Sequence, residues 1–334
     1  MWTSTKITCQ PAGVYGLGLC ALLLIALVIS GQQLLWLPLC ALLASLILAW
    51  YWPAWVARSL CVQAHCLSEL RQGQTAQWQV HLSARLPLWG LHLRGPLDMH
   101  HSQFIPGRSA ELTLCAEPQL TGIIDGHWQC RLQYPFNLWP RTLELSVCNL
   151  TLLPGLEPIE YLPLPIPEIG PAPKALLCYD SSDGFALGTD ANQSQAVQIK
   201  LLANLSRALV ARGYDVCLAT SLGLLTLPAY SGAFNALDMA LVHAQQAPMP
   251  AADLLARYNQ RPDAQLIIAP QWLSAASVPE VFPGQQLWQL LFDEERFQHP
   301  LSRSRHSHRR LGAYHWQWVI EPQQPLARLF YAQH

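Results

Sequence analysis

Two long apolar runs, Val14 to Ser30 and Leu34 to Trp52, dominate the N-terminal part of the chain, and from Ile7 to Ala57 there is no Asp, Glu, Lys or Arg. Each run is close to the ~20 residues a helix needs to cross a hydrocarbon core. The pattern therefore predicts membrane helices over about 13–30 and 34–52, joined by Gly31-Gln32-Gln33, with residues 1–57 forming a two-helix transmembrane hairpin. So short a turn sends the second helix straight back, and everything after it lies on the side from which the first helix entered. Trp50, Tyr51, Trp52 and Trp55 cluster where the second helix would leave the bilayer, the depth that amphipathic rings prefer. Pro53 predicts an end or a kink there.

After Leu60 the texture changes to short runs with period-2 alternation. Trp78, Val80 and Leu82 alternate with Gln77, Gln79 and His81, which gives a strand one buried and one wet face. Strands are predicted at Cys61 to Leu70, Thr75 to Ala84, Leu88 to Leu93, Ser109 to Ala116, His127 to Leu132 and Thr142 to Leu152, separated by Gly, Pro, Asp or Asn. A β-sandwich over residues 58–154 is the economical architecture. Residues 155–174 carry Pro158, Pro163, Pro165, Pro167, Pro171 and Pro173, a spacing that disfavours a helix or a central strand and predicts an extended, semi-rigid linker.

From Ala175 onward, strand-length apolar runs alternate with amphipathic stretches. Ala175 to Tyr179, Asp215 to Ala219, Gln265 to Ala269, Leu287 to Phe292 and His315 to Ile320 read as strands. Gln195 to Arg212, with Val197, Leu201, Leu205 and Leu209 spaced four apart and Gly213 as a stop, reads as a helix, as do Phe234 to Gln245 and Ala251 to Asn259. Such alternation predicts an open, Rossmann-type α/β sheet over residues 175–334. The chain as a whole is thus expected to be a membrane-anchored α+β multidomain protein.

Charge adds an orientation. Lys6 precedes the first run, Arg58 and Arg71 follow the second, and the turn between has no charge, so the positive-inside tendency places the termini and both soluble domains in the cytoplasm. A cleaved signal peptide is the competing reading. The first run has a thin basic flank, no clear small-residue cleavage site and a second span directly after it. The net charge of −1 argues against a nucleic-acid partner. Ten scattered cysteines lack the paired spacing of zinc sites and fit reduced thiols in a cytosolic compartment.

Candidate chemistry centres on Asp180-Ser181-Ser182-Asp183-Gly184, directly after the first strand of the α/β segment, where open sheets bind ligands. Asp180 with Ser182 could hold a hard cation such as Mg²⁺, which takes one or two carboxylates and keeps waters. Gly184, however, offers no side chain, and Pro270 follows the Gln265 to Ala269 strand, where von Willebrand factor A domains, which this loop resembles, usually present an Asp. The competing reading is a polar strand-to-helix turn capped by Asp or Ser. Ser231 in Ala229-Tyr230-Ser231-Gly232-Ala233 lacks the upstream glycine of a nucleophile elbow, and the phosphate-loop and zinc-protease patterns are absent from the sequence. His100-His101 reads as an exposed loop pair. Arg303-Ser304-Arg305-His306-Ser307-His308-Arg309-Arg310 reads as a solvated loop, or as a surface for anionic lipid or an acidic partner.

The order of these parts, with Tyr134-Pro135-Phe136-Asn137-Leu138-Trp139 and Leu152-Leu153-Pro154, resembles the bacterial domain of unknown function 58 family. Members join a two-helix anchor to a β-sandwich and a von Willebrand factor A-like domain. Asn137 stands where the family has glycine, and Asn is the next residue to accept a left-handed backbone. The family's Arg-x-Tyr-x-x-Gly-Asp block is missing here, so the chain resembles a divergent member. Asp180, Ser182 and Gly184 look like the Asp-x-Ser-x-Ser start of that domain's metal-ion-dependent adhesion site. The resemblance implies a multi-pass protein of the bacterial inner membrane, in contact with the lipid bilayer. It further implies a non-enzymatic scaffold or assembly factor working beside a MoxR-type AAA+ ATPase and other membrane proteins, among them ones with transglutaminase-like domains. The alternatives are a membrane-tethered metal-dependent enzyme using Asp180, Ser182 and Asp183, and an assembly factor outside the cytoplasm.

Overall fold

The computed structural model describes residues 4–7, 11–88, 90–103, 105, 107–133, 138–167, 170–188, 193–258, 263–274, 282–299, 308–310, 314–322 and 324–330. The chain forms two compact units: residues 1–69, 75–117 and 124–150 in the first, and residues 70–74, 118–123 and 151–334 in the second.

In the first unit β1 (Ser4–Ile7) leads into α1 (Pro11–Ser30), a 3₁₀ turn over Gln33–Leu35 and α2 (Trp36–Ser59). Gly31 reverses the chain at φ +64°, in the left-handed region that a side chain disfavours. The two helices are long and apolar enough to cross a membrane. Each buries a seam with seven-residue spacing: Gly13, Cys20 and Leu27 on α1, and Leu39, Leu46 and Pro53 on α2. The other faces are bare, with Val28 76 %, Ile29 80 % and Leu37 74 % exposed. α2 does not end at Pro53 but continues to Ser59. Proline removes one ladder hydrogen bond, and the buried contacts of Ala49, Pro53 and Val56 hold the helix across the gap.

The remaining strands of this unit are β2 (Cys61–Cys66), β3 (Ala76–Ser83), β4 (Leu91–Arg94), β5 (His100–Gln103), β6 (Ser109–Ala116), β7 (Gly122–Leu132) and β8 (Arg141–Leu152). They form an antiparallel β2-β3-β6 sheet and a five-stranded sheet in the order β1-β8-β7-β4-β5. The predicted alternation is present: Ala76, Trp78, Val80 and Leu82 point inward from β3 and are buried. Trp78 meets Trp128 of β7 edge-on, ring centroids 5.9 Å apart, so the two sheets close on each other as a sandwich. A Cβ at Gly95 would fall 2.7 Å from the Trp128 ring, which restricts that position to glycine. Two four-residue strands, β1 and β5, were not expected. His100 and His101 therefore lie in a strand rather than in a loop, because pairing with β4 supplies the backbone bonds their polar side chains do not predict.

The second unit comprises β9 (Lys174–Cys178), α3 (Ser194–Ala211), β10 (Asp215–Thr220), β11 (Gly223–Leu227), α4 (Phe234–Ala244), α5 (Ala251–Tyr258), β12 (Ala264–Trp272), β13 (Gln286–Phe292), α6 (Glu294–Gln298), β14 (His308–Arg310) and β15 (His315–Ile320). The sheet order is β11-β10-β9-β12-β13-β15-β14, parallel from β10 to β15 with an antiparallel strand at each edge. One sheet face, with Ala175, Leu177, Val216, Leu218, Leu266, Ile268 and Trp288, packs in one core with α3 and α4. The other, with Leu176, Cys178, Ala219, Ile267 and Leu287, is covered by Ala251, Leu254 and Leu255 of α5. Between Gly155 and Pro173 the proline-rich segment has no helix or strand among its described residues, and it is pinned to this unit. Asn204 bonds Glu157 and Gly155 at 3.0 and 2.8 Å, Arg212 donates to the carbonyls of Leu162 and Leu164, and Leu162 and Leu164 join the core.

Candidate functional site

Asp180 emerges at the carboxyl end of β9, held by a buried Gln198 on α3. With its amide nitrogen turned toward the Asp180 carbonyl, Gln198 brackets the Asp180 backbone at 3.0 and 2.7 Å. Both carboxylate oxygens face chain donors. Oδ1 accepts from the Ser182 amide at 3.0 Å and the Ser182 hydroxyl at 2.5 Å, and Oδ2 accepts from the Ala251 amide at 2.9 Å. The first contact is an Asx turn and the second satisfies an orphan amide at the start of α5. Ser181 ties the same two loops, its hydroxyl donating to Ala247 O at 2.8 Å and accepting from the Met249 amide at 3.0 Å. The structure thus brings Asp180 and Ser182 together, as their spacing predicts, and gives them a structural task.

Beyond them, Asp183 is exposed and begins a 3₁₀ turn through Phe185. The Gly184 carbonyl accepts from the Trp272 indole at 3.0 Å, and Phe185 stacks on Trp272 with centroids 4.5 Å apart. Phe292 and Phe297 extend this aromatic group. β12 does not end at Ala269 but runs to Trp272, so Pro270 is a buried strand residue. Pairing with β9 stops at Ile268, so at Pro270 the strand is bonded to β13 alone, where a missing amide is tolerated. Burial pushes the Cys178 thiol up to about 12, with the Asp180 charge a smaller contribution in the same direction. Tyr179 is raised for the same two reasons.

The spacing of residues gave no sign of a second polar centre, because its members are far apart in sequence. Asp238 on α4 is fully buried, and its Oδ2 accepts from Arg71 at 2.8 Å and Arg207 at 2.6 Å. Arg207 also lies over the Phe234 ring, 5.0 Å from its centroid, and donates to Ala203 O. Two guanidiniums on one carboxylate oxygen offset its desolvation and fix α4 on α3, while Oδ1 is buried without a hydrogen-bond partner among the described residues. In the first unit, Arg141 lies 5.8 Å over Trp50, and Trp50 meets Trp139 edge-on at 5.7 Å. Burial lowers the Arg141 pKa, and the Arg58 charge lowers it further.

Ser231 sits in a turn where its hydroxyl accepts from the Ala233 amide at 3.2 Å. Tyr134 to Asn137 and Arg303 to Ser307 lie outside the described residues. No family model matches the chain, and no curated protein sequence matches it.

Proposed function

We propose that the chain is a bacterial inner-membrane scaffold or assembly factor, anchored by the α1–α2 hairpin and acting through protein–protein contacts rather than catalysis. The observation that carries this reading is the hairpin: two apolar helices with bare outer faces, whose flanking segments β1 and β2 both belong to the sandwich unit. That arrangement fits a double crossing with both ends on one side. Lys6 and Arg58 at those ends favour the cytoplasmic side. The parallel sheet with helices on both faces is compatible with a von Willebrand factor A-like domain, and the element order supports kinship with the domain of unknown function 58 family. On that kinship the working partner is a MoxR-type AAA+ ATPase. Affinity capture from mild detergent, with neighbouring genes co-expressed, is expected to recover such an ATPase; its repeated absence would contradict the proposal.

The second reading, a metal-dependent enzyme, draws on Asp180 at the carboxyl end of a parallel strand with the exposed Asp183 nearby. It requires Mg²⁺ to displace the Ser182 and Ala251 donors from Asp180. Calorimetric titration of the full chain with Mg²⁺ and Mn²⁺ separates the readings. Binding abolished by Asp180→Ala favours the enzyme, and heat signals unchanged by that substitution favour the scaffold.

A further inference from the structure

The wet face of the five-stranded sheet carries a groove of about 490 Å³, lined by His92, Arg94, Ser102, Gln129, Arg131 and Thr142 among others. Its floor follows from strand register. On β4 the side chains alternate, Leu91 and Leu93 buried, His92 and Arg94 exposed. His92 stands opposite Ser102 of β5 and Arg131 of β7, and Arg94 stands opposite His100 and Gln129. Directly opposed residues are about 4.5–5.5 Å apart, so two adjacent rows of hydrogen-bond donors share one surface.

The groove has donors in excess and no carboxylate among its described lining residues. Arg94 is matched by Asp98 at 2.7 Å, in the turn beyond the strand, and this contact holds the Asp98 carboxyl below its usual range. Arg131 is not matched. Among the described residues it has no ion pair, and its half-buried side chain lines the groove. A guanidinium with no counter-charge in a groove is a ready partner for an anion. The undescribed residues that adjoin these strands in sequence, Trp89, Phe104, Pro106 and Tyr134 to Asn137, contain no acid that could do so. Arg131 presents a planar fork of donors suited to phosphate, and Ser102, Gln129 and Thr142 add neutral ones.

We propose that this groove binds a phosphoryl group, with Arg131 as its principal ligand. The site is independent of the scaffold reading. The phosphate has two possible sources. Thr142 pairs with Lys6, close to where the chain enters α1, which brings a phospholipid headgroup within consideration; a free phosphorylated metabolite offers the same chemistry.

Purified full-length chain in a neutral detergent is titrated with pyrophosphate by calorimetry. The same protein is then offered vesicles of phosphatidylglycerol or of phosphatidylcholine. The expected result is saturable pyrophosphate binding that Arg131→Gln weakens at least about tenfold and Arg131→Lys partly restores, with the ligand-free melting temperature no lower in either variant. Preference for phosphatidylglycerol that pyrophosphate competes away identifies the headgroup as the source; pyrophosphate binding with no lipid preference identifies a soluble ligand. His92→Gln, on an exposed position, provides a second variant with the same expected direction. Absence of binding to either probe, or binding equal in wild type, Arg131→Gln and His92→Gln, would overturn the proposal.

Discussion

Asp238 in the α/β unit and Arg131 on the sandwich are both partly or wholly withdrawn from water, yet they are treated in opposite ways. Asp238 has two guanidiniums on one oxygen, and Asp180 in the same unit has both oxygens taken by chain donors. Arg131 has no counter-charge among the described residues and lines an open groove. Charges that are matched inside the chain hold its elements together. A charge that is unmatched at a concave surface is available to something outside the chain, and this separates residues that make the fold from residues that use it.

The largest test of the difference is Asp238→Ala. Removing the shared carboxylate leaves Arg71 and Arg207 facing each other, and breaking a buried pair costs about 3–5 kcal/mol. Urea unfolding of the full chain in detergent is expected to show a loss of that size in the transition of the α/β unit. Asp180→Ala comes next, at about 1–2 kcal/mol, because it removes the acceptor for the Ala251 amide and dissolves the Asx turn. Arg131→Gln is expected to change stability by less than about 0.5 kcal/mol. A loss comparable with that of Asp238→Ala would make Arg131 a structural charge and erase the comparison.

The buried Cys178 thiol provides a pH test in the matched unit. The Cys178 pKa is raised in the folded chain to about 12, so the folded form holds its proton more tightly than the unfolded form does. The stability it contributes is fully present below the unfolded thiol value of about 8.5 and is lost as the pH rises from there toward 12. Denaturation midpoints are therefore expected to fall between pH 9 and pH 11 in wild type, and to fall less steeply in Cys178→Ala. In native protein a maleimide is expected to label the exposed Cys61, Cys66 and Cys115 and to spare Cys130 and Cys178.

Much of the architecture can be read from periodicity. The uncharged runs predict both long helices, the alternation in Gln77 to Leu82 predicts β3, and the four-residue spacing in Val197 to Leu209 predicts α3. What escapes is short or polar. β1 has four residues, β5 is His-His-Ser-Gln, and β11 contains too few buried positions to show a period. Tertiary pairing makes each of them a strand. The start of β7 at Gly122 is hidden by Asp125-Gly126, a turn signal that the sheet overrides. At the candidate sites, Asp180 and Ser182 are neighbours in sequence and so their contact is visible in advance. Arg71 and Asp238 are 167 residues apart, and Arg131 and His92 meet only through strand register, so neither grouping leaves a local motif.

The anchoring proposal rests on α1 and α2, and alkaline carbonate extraction of membranes from bacteria expressing the full chain tests it most directly. The account predicts that the chain stays in the membrane pellet, because the exposed apolar faces of both helices are in contact with lipid tails. Recovery of intact, unprocessed chain in the carbonate supernatant would contradict it.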